Sequence, residues 1–155
     1  RRVGELAQMG TAELAALVID IVTAEGPLVR RRLYRLVGAA TGVERMSPLM
    51  RDRVDAAVGS AVRKKVLVDG APVRKGGPDE RETSLADGPG VVLRRRGDRA
   101  FDEIPLTELA EAARLAVASG AMGDAAVVRV VASGYDVGRV TAKTEATILR
   151  AITIL

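Results

Sequence analysis

The chain has 155 residues, 48% of them hydrophobic and 2% aromatic, and its 24 Lys+Arg against 20 Asp+Glu give a net charge of +4. That length allows one domain or two small ones around a core that is almost entirely aliphatic. The absence of Cys and His excludes disulfides, thiolate or imidazole metal ligands and Ser-His or Cys-His nucleophiles, and three aromatic residues cannot build a base-stacking platform.

The charge is unevenly spread. Residues 1–75 carry 14 Lys+Arg against 8 Asp+Glu, residues 76–100 carry 5 against 5, and residues 101–155 carry 5 against 7. A basic first half is the footprint expected of nucleic-acid binding, and an Arg-rich composition by itself gives the same excess. No apolar run reaches the roughly 20 residues of a membrane span and no signal pattern opens the chain, so a cytoplasmic protein without membrane contact is expected. The chain opens at Arg1 rather than Met and ends at Leu155 inside an apolar helical pattern, so a longer parent protein is expected.

The first ten residues say little. Thr11 is expected to cap a helix over 12–24 with Leu14, Leu17, Val18, Ile21 and Val22 inward, and Glu25-Gly26-Pro27 stops it. Leu28 and Val29 form a short extended link. A second helix from Arg30 to about Ala40 buries Leu33, Leu36 and Val37, leaving Arg30, Arg31, Arg32 and Arg35 as a solvated face, and Gly42 ends it.

After a loop over 42–47, Ser47 caps and Pro48 opens a third helix. Its apolar stripe is Met50, Val54, Ala57, Val58, Ala61 and Val62, and its last turn carries Arg63, Lys64 and Lys65, cations suited to a helix C-terminus. Val66 and Val68 begin a strand. Asp69-Gly70 signals a turn, residues 69–90 read as a long loop or wing, and β-branched Val91 to Arg95 reads as the return strand. Helix, short extended link, helix, helix, strand, wing, strand is the order of a winged-helix domain.

From Phe101 the chain starts again. Thr107 is expected to cap a helix over 108–119, Asp124 a helix to about Ala132, and Thr141 a last helix with Thr144, Ile148, Ala151, Ile152 and Leu155 inward. The halves align: Thr107-Glu108-Leu109-Ala110 falls on Ala12-Glu13-Leu14-Ala15, residues 137–142 fall on 43–48, and Ile148, Ala151 and Ile152 fall on Val54, Ala57 and Val58. The expected fold is mainly α with a small β wing: a winged-helix-like unit over 11–97, a linker over 98–107, and a second, truncated winged-helix-like unit over 108–155.

The runs A-E-G-P at 24–27, G-V-E-R-M-S-P-L-M-R-D-R-V-D-A-A-V at 42–58 and D-E-I-P at 102–105 resemble the C-terminal region of large bacterial helicase-related proteins. In these a superfamily 1-type helicase core precedes a domain of unknown function, often near a very-short-patch-repair-like endonuclease domain. The resemblance implies a non-catalytic accessory module of a nucleic-acid-processing protein. The residues agree with that implication: no G-x-x-x-x-G-K-[ST] is present to cradle a nucleotide, and Asp87, Asp98, Asp102 and Glu103 lack a lysine at nuclease spacing. No catalytic residue, cofactor or metal ligand is therefore assigned.

The candidate DNA contacts are Arg51, Arg53, Arg63, Lys64 and Lys65 on the third helix, with Arg74 and Lys75 on the wing. They would act mainly on the backbone, since groove-reading Asn and Gln are scarce. Asp52 and Asp55 weigh against a groove-facing surface, because an Arg51–Asp55 pair at i,i+4 is also what a merely solvated helix shows. The alternative is a structural module that packs on other domains of the parent or, as a homodimer, on a second copy.

Overall fold

The computed structural model describes residues 5–70 and 77–155. The chain is mainly helical with one small three-stranded antiparallel sheet. The described residues divide into two compact units, 5–70 with 77–90, and 91–155.

The first unit runs α1 (Thr11–Glu25), β1 (Leu28–Val29), α2 (Arg30–Thr41), α3 (Pro48–Arg63), β2 (Leu67–Gly70) and β3 (Glu82–Leu85). Gly10, not Thr11, is the N-cap of α1. Gly42 closes α2 at φ +76°, a left-handed conformation that glycine adopts without a Cβ clash. Ser47 Oγ accepts from the Met50 N–H at 3.2 Å, and Pro48 follows at the position where a missing N–H costs nothing. Leu14, Val18, Val22, Leu33, Val37, Val54, Val58 and Leu67 form the centre of the core. Leu17, Ile21, Leu36 and Val62, expected inside, lie at its margin and are only partly buried.

The sheet order is β1-β3-β2, so the return strand is central. Leu28 stands opposite Thr83, and Leu67 opposite Leu85. This corrects the expected return strand: Val91 to Arg95 is not a strand, and residues 82–85 inside the expected long loop are one. Glu82-Thr83-Ser84-Leu85 has little intrinsic strand character, and its pairing on both sides decides its conformation. Around Val91 to Arg95 the polar backbone is satisfied differently, since the Arg94 N–H donates to Glu108 and the carbonyls of Arg94 and Arg95 accept from Arg99.

The second unit holds α4 (Leu106–Ala118), α5 (Asp124–Gly134) and α6 (Ala142–Ile152) around Leu109, Ala113, Val127, Val131, Ile148 and Ala151. Residues 98–107, expected as a linker, belong to this unit and bury Arg99, Glu103, Ile104 and Leu106. The N-caps of α4 and α5 are Pro105 and Gly123 rather than Thr107 and Asp124. Gly123, at φ +81°, makes the turn that brings Asp124 into the first turn of α5, where a carboxylate faces the positive helix end. Leu155, expected inward, is exposed.

With Val43 laid on Val137, the two units share local geometry. Each of these valines donates its N–H to a carbonyl five residues back, Gly38 at 2.8 Å and Ala132 at 3.0 Å. The residue before each has a positive φ, +76° at Gly42 and +55° at Asp136. Thr141 Oγ1 accepts from the Thr144 N–H at 3.2 Å, as Ser47 does from Met50. Leu33, Tyr34, Val37 and Thr41 are buried, and so are Val127, Val128, Val131 and Tyr135 in the same register.

Candidate nucleic-acid interface

Three of the expected cations stand together where α3 becomes β2. Arg63 is in the last helical turn, the Lys64 N–H closes the helix on Ser60 O at 3.1 Å, and Lys65 takes a left-handed conformation at φ +59°. That turn redirects the chain at once, and the Val66 N–H reaches back to Ala61 O at 3.0 Å before β2 begins. All three side chains are exposed. Their charges lie beside the partial negative end of α3, which favours cations there.

A network of ion pairs and hydrogen bonds around the buried Arg30 fixes that helix against the sheet. Arg30 is 4% exposed at the start of α2 and donates to Asp55 on α3 and, at 2.7 Å, to Asp69 on β2. Tyr34 OH donates to Asp55 at 2.6 Å, and Thr83 on β3 donates to Asp69 at 3.0 Å. Burial opposes the Arg30 charge, yet Asp69 and Asp55 outweigh it and hold the guanidinium above its ordinary pKa. Burial first, then Asp55, pushes the Tyr34 phenol up as well.

The expected solvated face of α2 is corrected here. Arg30 and Arg32 are buried, with Arg32 paired to Glu25 at 2.6 Å, because they sit over carboxylates that neighbouring elements supply. The spacing held a signal: Arg30 and Tyr34 lie on one side of the helix at i,i+4, and Arg31 and Arg35 on another.

The remaining candidates separate. The two terminal nitrogens of the Arg53 guanidinium donate to the carbonyls of Leu6 and Met9 and tie the N-terminal 3-10 turn to α3. Arg51 points elsewhere: its guanidinium lies 5.3 Å from the Tyr34 ring centre and 3.8 Å from Asp79, so the expected Arg51–Asp55 pair is replaced on both sides. Arg74 and Lys75 lie outside the described residues. Arg51 also lines a pocket of about 340 Å³ with Arg31, Arg35 and Arg45, a grouping that sequence inspection missed because its members come from α2, the α2–α3 loop and α3.

Among the described residues no helix is long and apolar enough to cross a membrane, and no group of three or more Asp or Glu side chains is arranged to hold a metal ion. The class that emerges is a mainly helical protein with a small three-stranded sheet and a basic helix end. A family model described as a protein of unknown function (DUF3320) matches residues 5–52, from the N-terminal 3-10 turn to the first turn of α3. The chain is similar to that family over this stretch, which ends before the basic cluster at Arg63. No curated protein and no solved structure matches the chain.

Proposed function

We propose that the chain is a non-catalytic accessory module that binds the backbone of duplex DNA through the C-terminal end of α3, within a larger helicase-related protein. The observation that carries this is the cluster Arg63, Lys64 and Lys65, exposed together at a helix-to-strand turn whose parent helix is locked to the sheet by Arg30. Helix, strand, helix, helix, strand, strand is the element order in which winged-helix proteins present a third helix to DNA. Such a contact neutralises phosphates without reading bases, so it carries little sequence preference.

With Arg74 and Lys75 added to Arg63, Lys64 and Lys65 as contacts, neutralising about four phosphates would give a log–log salt slope of about −3.6. The test is titration of short duplexes at two salt concentrations with wild type and a Lys64→Glu/Lys65→Glu variant. Loss of binding in the variant is expected, and no binding by wild type at low salt would overturn the proposal.

A packing module is the second reading, and a different observation favours it. In the second unit Leu93, Leu115 and Val130 are exposed along a groove of about 380 Å³ between α4, α5 and the segment before them. An apolar groove of this kind fits a protein surface better than a phosphate backbone.

A further inference from the structure

We propose that the arginine-lined pocket at the N-terminal end of α3 binds a phosphate group of the nucleic-acid backbone, a second contact point that rests on the DNA-binding function proposed above. Its lining includes four arginines, Arg31, Arg35, Arg45 and Arg51, against the two carboxylates Glu44 and Asp79. The net charge of the lining is therefore positive. Guanidinium is the side chain whose planar fork matches two phosphate oxygens at once, and the same fork stacks on aromatic faces. Arg51 is held in that way over the Tyr34 ring at 5.3 Å, and its contact with Asp79, at 3.8 Å, is loose enough for an anion to compete for it.

Size also restricts the occupant. A volume of about 340 Å³ is at the low end of small-molecule pockets, room for a phosphate and adjoining sugar rather than an extended ligand. Arginine clusters also recognise phosphorylated peptides. The nucleic-acid backbone is favoured because the same helix carries Arg63, Lys64 and Lys65 at its other end.

The experiment titrates the whole chain with a fluorescein-labelled duplex and follows backbone amide shifts in parallel. Wild type is compared with Arg35→Ala/Arg45→Ala, whose parent side chains are both exposed, and with Lys64→Glu/Lys65→Glu. Loss of one phosphate contact in the arginine variant is expected to weaken binding roughly tenfold at 0.1 M salt and to make the salt slope shallower by about 0.9. In wild type the duplex is expected to shift the amides of Glu44, Arg45 and Met46.

Unchanged affinity in the arginine variant with unmoved amides would overturn the pocket, while loss of binding in the lysine variant would leave the DNA-binding function standing. No duplex binding by wild type overturns both. Inorganic phosphate or a phosphoserine peptide that shifts these amides when the duplex does not would overturn the assignment to nucleic acid.

Discussion

Glu108 accepts both arms of the Arg99 guanidinium, at 2.8 and 3.0 Å, and both partners are buried. The same carboxylate accepts from Tyr135 OH at 3.0 Å and from the Arg94 N–H at 3.2 Å, so one side chain of α4 holds α5 and the irregular segment before it. The first unit makes a comparable triad of Arg30, Asp55 and Tyr34. In each unit one carboxylate accepts from both an arginine and a tyrosine, Asp55 from Arg30 and Tyr34 and Glu108 from Arg99 and Tyr135.

Removing Glu108 leaves Arg99 buried without its counter-charge. Glu108→Ala is expected to cost about 3–5 kcal/mol, the range for breaking a buried pair from one side. Lys143→Ala removes an exposed partner 3.7 Å from Asp102 and is expected to stay within about 0.5 kcal/mol. Denaturant unfolding of the two variants measures the contrast, and equal losses would show that the Arg99–Glu108 pair is not a stabilising anchor.

Alkaline pH should destabilise the chain through its two tyrosines. Burial, then Asp55 at Tyr34 and Glu108 at Tyr135, raises both phenols above the ordinary 10.0. The folded state therefore keeps them neutral where the unfolded chain ionises them. This stabilisation is complete below pH 10 and declines above it, by about 1.4 kcal/mol per tyrosine for each pH unit until the folded groups titrate. Unfolding free energies at pH 9, 10 and 11 check it, and Tyr34→Phe and Tyr135→Phe should each flatten the decline.

The two helix caps should be separable and similar. Ser47→Ala and Thr141→Ala each leave a first-turn N–H without its side-chain acceptor and are expected to cost about 1 kcal/mol. Glycine at either site should recover most of the loss. Thermal melts of the four variants decide whether both caps contribute.

Gly38 has no room for a side chain. A Cβ there would meet Val43 O at 2.6 Å, the carbonyl of the residue whose N–H returns to Gly38. Gly38→Ala is expected to cost about 1–3 kcal/mol by displacing the α2–α3 loop. Gly59→Ala is the control, since its nearest contact is the tip of Arg63 at 3.5 Å, and a stabilised or unchanged variant is expected there.

Local chemistry was enough for the helices. Ser47-Pro48, Gly42 and the four-residue recurrence from Leu14 to Val22 depend on neighbours in the chain, so six helices and much of the apolar core could be read from the residues. The recurrence of Val43 and Ser47 geometry at Val137 and Thr141 was legible for the same reason.

Only tertiary structure decided the strand at Glu82–Leu85, because its hydrogen bonds come from partners far along the chain, and it decided the fate of each arginine. Arg30 lies inward, Arg53 is bound to carbonyls near the N-terminus, Arg51 is stacked on Tyr34, and Arg63 is exposed. An arginine carries the same charge in all four positions; which carboxylate, carbonyl or ring lies within reach of its long side chain is set by the packing of separate elements.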